Sequence, residues 1–289
     1  MAKIGFHIPL MKSAYESVRY HFERGNGIRE FQIFIKNPRQ FKITQIKDDD
    51  ARLCRDYIRE NGIFLITHAS YLLNTANPEK WEMKIANGIN EIDLAEKIGA
   101  YGVVFHVGKH LKLPVSEGED LMFQYIQHMI HYIQEKGYET KFILETSAHC
   151  GTELCWRIED LGRMFHRFDK MEKTHLKICI DTCHVFSSGY RLHNEEGCHA
   201  FIDLVEREIQ WSNVGVIHLN DSLSIGGCGC KADRHANIMK GFIMDGMKTL
   251  LEHTINHEIP HILETPIQSE DKIFETHFEE IEQIHGWFS

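Results

Sequence analysis

The feature that most constrains the fold is an alternation running the length of the chain, in which short apolar runs are separated by longer amphipathic stretches. Runs at 3–8 (KIGFHI), 30–35 (EFQIFI), 64–68 (FLITH), 102–107 (GVVFHV), 141–146 (KFILET), 176–182 (LKICIDT), 214–220 (VGVIHLN) and 259–265 (IPHILET) read as eight strands. Near-continuous apolarity is what a parallel strand buried on both faces requires. Between the runs the spacing is helical. Met122, Ile126, Met129, Ile130 and Ile133 recur three to four apart within 120–136, as do Phe201, Leu204, Val205 and Ile209 within 201–209. The acidic stretch 270–284 reads as a closing helix. Ser116 and Glu119 form a capping-box signal, and Gly62, Gly99 and Gly137 stand where helices should stop. No linker or low-complexity segment interrupts the pattern. The expectation is an α/β fold, one (β/α)8 TIM barrel forming a single domain over 1–289. An open doubly wound sheet usually has fewer strands and often a glycine-rich phosphate loop, and it fits less well.

Composition narrows the setting. The chain is 43% hydrophobic and 26% charged, ordinary for a globular protein. The first ten residues lack the signature of a signal peptide, and no run approaches the ~18 apolar residues that span a bilayer. A soluble intracellular protein is expected, with no membrane partner and no compartment specified. Eight cysteines without C-x-x-C spacing are expected to be mostly reduced, and Cys228-Gly229-Cys230 reads as a glycine loop rather than a metal or redox pair. The net charge of −10 argues weakly against a broad basic face for nucleic acid. Cations bound in a cleft could still reverse the local field.

The strand ends carry the chemistry. His68, His106, Glu145, Asp181, His218 and Glu264 close the third to eighth strands in turn. In such barrels the active site gathers at the C-terminal rim. Alone, each is an ordinary hydrogen-bonded histidine or solvated carboxylate. Six in one register have no packing rationale, because buried ionisable groups crowd together only when something neutralises them. Asp181-Thr182-Cys183-His184 adds an imidazole beyond the sixth strand, and Asp233-Arg234-His235 adds a carboxylate and an imidazole beyond the seventh. Cys183 reads as a buried rim thiol rather than a ligand. Imidazole mixed with carboxylate favours zinc over magnesium. Nine candidate ligands exceed one tetrahedral shell and suit two or three ions sharing a carboxylate, the arrangement of multinuclear hydrolases of phosphate esters.

The segments HASYLLN (68–74), FHVG (105–108), LET (144–146), DTCH (181–184), HLND (218–221), DRH (233–235) and ILET (262–265) together resemble the endonuclease IV family, in order and over nearly the whole chain. These are apurinic/apyrimidinic endonucleases on a xylose-isomerase-like barrel. The resemblance implies three zinc ions, with manganese admissible at one site. His68, His106 and Glu145 would hold the first ion, and Glu145 would bridge to a second completed by Asp181, His218 and Glu264. His184, Asp233 and His235 would hold the third. It implies cleavage of double-stranded DNA 5′ to an abasic site, leaving a 3′-hydroxyl, and trimming of blocked 3′ ends, with Glu145 orienting the nucleophile; a monomer is expected. Arg39, in IKNPRQ (35–40), would enter the minor groove, and Tyr71 and Leu72 would wedge into the base stack.

Some positions depart from the family pattern. Pro38 stands where many relatives carry a polar residue, and ANIMKGFI (236–243) and SLSIGGCGCKA (222–232) are unusual. Lys36, Arg39, Lys109, Lys231 and Arg234 are expected as basic groups in rim loops. A metal-dependent sugar isomerase on the same barrel is the enzymatic alternative, although it has no need of the third ligand set. A non-catalytic zinc- or DNA-binding protein is the other.

Overall fold

The computed structural model describes residues 2–225, 231–267, 269 and 272–288. Its strands are β1 (Ile4–Ile8), β2 (Glu30–Ile33), β3 (Phe64–His68), β4 (Gly102–His106), β5 (Lys141–Glu145), β6 (Leu176–Asp181), β7 (Val214–His218), a small pair β8 (Asp221–Ser222) and β9 (His235–Ala236), and β10 (His261–Leu263). Its helices are α1 (Ala14–Arg24), α2 (Asp48–Asn61), α3 (Trp81–Ile98), α4 (Val115–Lys136), α5 (Ile158–His166), α6 (Thr182–Ser188), α7 (Glu195–Glu208), α8 (Lys248–Asn256) and α9 (Ile273–His285). Strands β1 to β7 and β10 close a parallel barrel, with β1 between β2 and β10. β8 and β9 form an antiparallel hairpin beyond β7.

All eight apolar runs become barrel strands, most of them shorter than expected because the residues past the rim leave the ladder. Gly62, Gly99 and Gly137 adopt the left-handed conformation that ends α2, α3 and α4. The expected capping box does not form. Pro114 precedes the first turn of α4, so Ser116 lies inside the helix and no side chain caps it. The closing helix begins at Ile273. Among the described residues no helix is long and apolar enough to cross a membrane. Cys54, Cys150, Cys155, Cys179, Cys183 and Cys198 are free thiols, while Cys228 and Cys230 lie outside the described residues.

Two apolar layers hold the barrel. Phe6, Phe31, Leu65, Phe105, Phe142, Ile180 and Leu263 face the helices and belong to the larger core. Ile66, Val104, Ile143, Cys179, Val216 and Ile262 form a separate cluster inside the barrel. Strand side chains alternate, so the residue two positions on shares the inward face. Two positions beyond these six stand His68, His106, Glu145, Asp181, His218 and Glu264. The same packing that fills the barrel therefore aims the six polar strand ends at its mouth.

Register supports this placement. Neighbouring strands step by two residues at β2/β3, β3/β4, β5/β6 and β7/β10, shown by the pairs Gln32↔Ile66, His68↔Val104, Glu145↔Cys179 and His218↔Ile262. They are level where His7 meets Gln32, His106 meets Glu145 and Asp181 meets His218. This stagger is the shear expected of an eight-stranded barrel of this type.

Gly5 lies on β1 between Ile262 of β10 and Glu30 of β2, and an added Cβ would land on the Glu30 carbonyl. Gly5→Ala should destabilise the protein by about 2–3 kcal/mol through overpacking between β1 and β2. Urea denaturation checks this, and an unchanged midpoint would contradict it.

Candidate metal centre

The structure gathers all nine expected ligands into three groups, each with its ligating atoms within 4.8 Å of one another. In the first, Nε2 of His68 and Nε2 of His106 face Glu145 Oε2 at 3.6 and 3.4 Å. In the second, His218 Nδ1 lies 2.8 Å from Glu145 Oε1, 3.1 Å from Glu264 Oε2 and 3.9 Å from Asp181 Oδ2. In the third, Nε2 of His184 and of His235 approach Asp233 Oδ1 at 3.3 and 3.1 Å. Glu145 belongs to the first two groups, and the contact of Asp181 Oδ2 with His235 Nε2 at 3.5 Å ties the second to the third.

Each histidine of known hydrogen bonding is fixed from behind. His68 Nδ1–H donates to the Ala69 carbonyl at 2.8 Å, and His184 Nδ1–H donates to the Thr146 carbonyl at 2.9 Å. His235 Nδ1–H reaches the Glu264 carbonyl at 3.2 Å. These bonds leave Nε2 with its lone pair toward the cluster, the usual support of a metal-binding imidazole. His218 is turned the other way. Its Nε2–H donates to Gln32 Oε1 at 2.7 Å, so Nδ1 is the nitrogen presented to the carboxylates.

The donor set fits divalent cations. Glu145 Oε2, His106 Nε2 and His235 Nε2 are buried and lack a hydrogen-bond partner among the described residues. Buried polar atoms are rarely left so, and all three point into the cluster. The electrostatics agree. Burial would raise the Glu145 carboxyl, but the imidazoles of His106 and His218 outweigh it and hold the group well below the usual range. Against the same penalty of burial, Asp181 and the neighbouring carboxylates hold His184 well above its ordinary value, and Asp181 and Asp233 raise His235 to about 9. His106 is lowered to about 4 by loss of hydration. The carboxylates thus favour positive charge among the imidazoles, which is the charge a metal would supply. Cys183 is buried within reach of Asp181 and His235, and burial pushes its thiol up to about 12.

A pocket of ≈ 250 Å³ opens onto this cluster. His68, His106, Glu145, His184, Asp233 and His235 line it, together with the apolar Phe34 and Ile267. Tyr71 stands at the mouth. Its ring centroid lies 5.5 Å from His68, 5.6 Å from His106 and 5.3 Å from Phe34, yet the residue is 54% exposed. Leu72 beside it is 42% exposed. Neither fills the core, so packing does not explain them. Arg39, Lys231 and Arg234 are exposed as expected. Lys36 is not a rim cation. Its ammonium is buried and paired with Glu91 at 3.2 Å. Lys109 pairs with Glu153 at 3.2 Å.

Sequence reasoning overlooked three residues that organise the site. His7 and Gln32 continue the inward ring onto β1 and β2, giving one polar residue per strand. Gln32 is fully buried, and its NH2 donates to Glu264 Oε1 at 2.5 Å and to His7 Nδ1 at 3.1 Å. Loss of hydration lowers His7 to about 4, which keeps that nitrogen an acceptor. Asn220 bridges two strand ends, donating through Nδ2 to Asp181 Oδ2 at 2.8 Å and accepting the Glu264 N–H at 3.0 Å. The available signal was a lone amide or imidazole within a run that packing would make apolar.

The family described as xylose isomerase-like TIM barrel matches residues 24–284. A "Probable endonuclease 4" from Thermosipho melanesiensis is 31% identical, with 99% of each chain covered. Another from Symbiobacterium thermophilum is 32% identical over 93% of this chain and 94% of its own. The crystal structure of endonuclease IV from Thermus thermophilus superposes with a TM-score of 0.81 at 26% identity, covering 99% of this chain and 98% of that one.

Gln32→Leu keeps the volume but removes the bonds that orient His218 and Glu264. Loss of such an outer partner should weaken metal binding about 10- to 100-fold. Competition against a chromogenic chelator measures this, and a wild-type affinity would remove Gln32 from the account.

Proposed function

Because this chain belongs to the endonuclease IV family of xylose isomerase-like TIM barrels, we propose that it hydrolyses the phosphodiester 5′ to an abasic site in double-stranded DNA, leaves a 3′-hydroxyl and trims blocked 3′ ends. The observation that carries the reading is the completeness of three ligand groups, two of which share Glu145. His184, Asp233 and His235 form a set for which a sugar isomerase on the same barrel has no use.

Three zinc ions fit these groups, with manganese admissible at one of them, and the mixture of imidazole and carboxylate supports that choice. The first would be held by His68, His106 and Glu145, the second by Glu145, Asp181, His218 and Glu264, and the third by His184, Asp233 and His235. When bound, such ions supply the positive charge that acidifies water and stabilises the oxygens of a phosphodiester under attack. The remaining work falls to the chain. Glu145, carried at the end of β5 with Oε1 2.8 Å from His218 Nδ1, orients the attacking water in line with the leaving 3′ oxygen. The apolar side chains of Phe34 and Ile267 keep bulk water off the extruded sugar. Tyr71 and Leu72 enter the base stack while Arg39 takes the minor groove. Extruding a nucleotide costs a few kcal/mol, least where a base is already missing, so the wedge itself favours damage. The barrel acts as one domain and as a monomer.

A duplex bearing one abasic-site analogue should be nicked by the purified protein, and nicking should stop after a zinc-stripping chelator. Glu145→Gln should lower kcat at least about 10³-fold while DNA binding remains measurable. Wild-type turnover in that variant would refute its role. Replacing Tyr71 and Leu72 together with Ala should reduce the preference for abasic over intact duplex by about tenfold in a competition binding assay. An unchanged preference would make them surface residues only.

A further inference from the structure

Lys36 begins the loop that carries Arg39, yet its side chain turns inward. The ammonium lies 3.2 Å from Glu91 Oε1, 3.3 Å from Asn90 Oδ1 and 3.4 Å from Asn87 Oδ1, all on α3. Three donors meet three acceptors, out of water. The same Glu91 oxygen accepts the Ser70 N–H at 3.2 Å, immediately before Tyr71. One buried carboxylate oxygen thus touches the root of both loops.

A second tie lies nearer the surface. The Pro38 carbonyl accepts the Ser70 hydroxyl at 2.7 Å and the Tyr71 N–H at 3.1 Å. Pro38 fixes its own φ, which steadies the carbonyl that receives both bonds. Further along, the Asn90 carboxamide pairs with Thr44 on both its N–H and its carbonyl, each at 2.9 Å. The segment 41–47 has no regular secondary structure, and these bonds, with Phe41 and Ile46 packed on the core, fix its course.

We propose that Lys36, Glu91 and the Pro38–Ser70 contact latch the Arg39 loop to the Tyr71–Leu72 loop, so that the two approach DNA as one preorganised unit. A buried ion pair adds little net stability but can specify one conformation among several. Holding loops in their bound arrangement lowers the entropy lost on association, so the latch acts on substrate affinity and leaves the chemical step alone. Lys36, Glu91 and Ser70 are positioning residues, and each acts through the side chains it places.

The latch rests on the reading that this face binds abasic duplex, and two measurements on the metal-loaded full chain keep the two ideas separable. Glu91→Gln removes the charge but keeps the shape. Ser70→Ala removes only the hydroxyl and serves if the first variant does not fold. Without DNA, the Tyr71 and Thr44 amides of either variant should exchange hydrogen about tenfold faster, both together. Unchanged exchange, or acceleration at one amide alone, overturns the latch. On an abasic duplex, KM should rise about three- to tenfold with kcat within about twofold and metal content unchanged. An unchanged KM, or a loss confined to kcat, also overturns it. Absence of nicking by the unmodified chain would instead overturn the reading of function, while the exchange result still decides the latch.

Discussion

Everything in this structure depends on holding four carboxylates and five imidazoles within a few ångströms of one another at the mouth of a closed barrel. Glu145, Asp181 and His218 are essentially out of water there. Anions brought that close and that deep repel one another, and their burial is unfavourable unless cations offset it. The barrel imposes the arrangement by geometry. Inner-facing apolar residues and the polar residues two positions further along share one face of each strand, so closing the hydrophobic interior gathers the polar ends.

A frame of uncharged groups then fixes each ligand's direction. Gln32 ties His218 to Glu264, and Asn220 ties Asp181 to Glu264. Thr182 Oγ1 accepts the Asn220 N–H at 2.8 Å and donates to the Asn220 carbonyl at 2.6 Å, bracing that amide. The carbonyls of Ala69, Thr146 and Glu264 select which nitrogen three of the histidines offer. None of these groups adds charge. Their effect is to limit the rotamers open to groups that would otherwise separate.

The strand ends from β3 onward were legible in the sequence because six of them, all imidazole or carboxylate, recur at or near the ends of successive apolar runs. His7 and Gln32 were not, since a lone imidazole before Ile8 and an uncharged amide inside EFQIFI do not by themselves suggest a ligand. Lys36 shows the opposite error. A lysine in a predicted rim loop looks like a solvated cation, and only the placement of α3 shows that Glu91 lies beneath it. The unusual segment 236–243 was equally opaque. Asp221, fully buried, accepts the backbone N–H groups of Ser222, Gly241, Ile243 and Met244, and that contact joins residues about twenty positions apart. Such pairings are made by closure of the fold and leave no local pattern.

The most direct test of the central claim is anomalous scattering at the zinc absorption edge from crystals grown without chelator. Peaks are expected inside the triangle of His68, His106 and Glu145, between His218, Asp181 and Glu264, and between His184, Asp233 and His235. Crystals of active protein with no anomalous density among these side chains would contradict it.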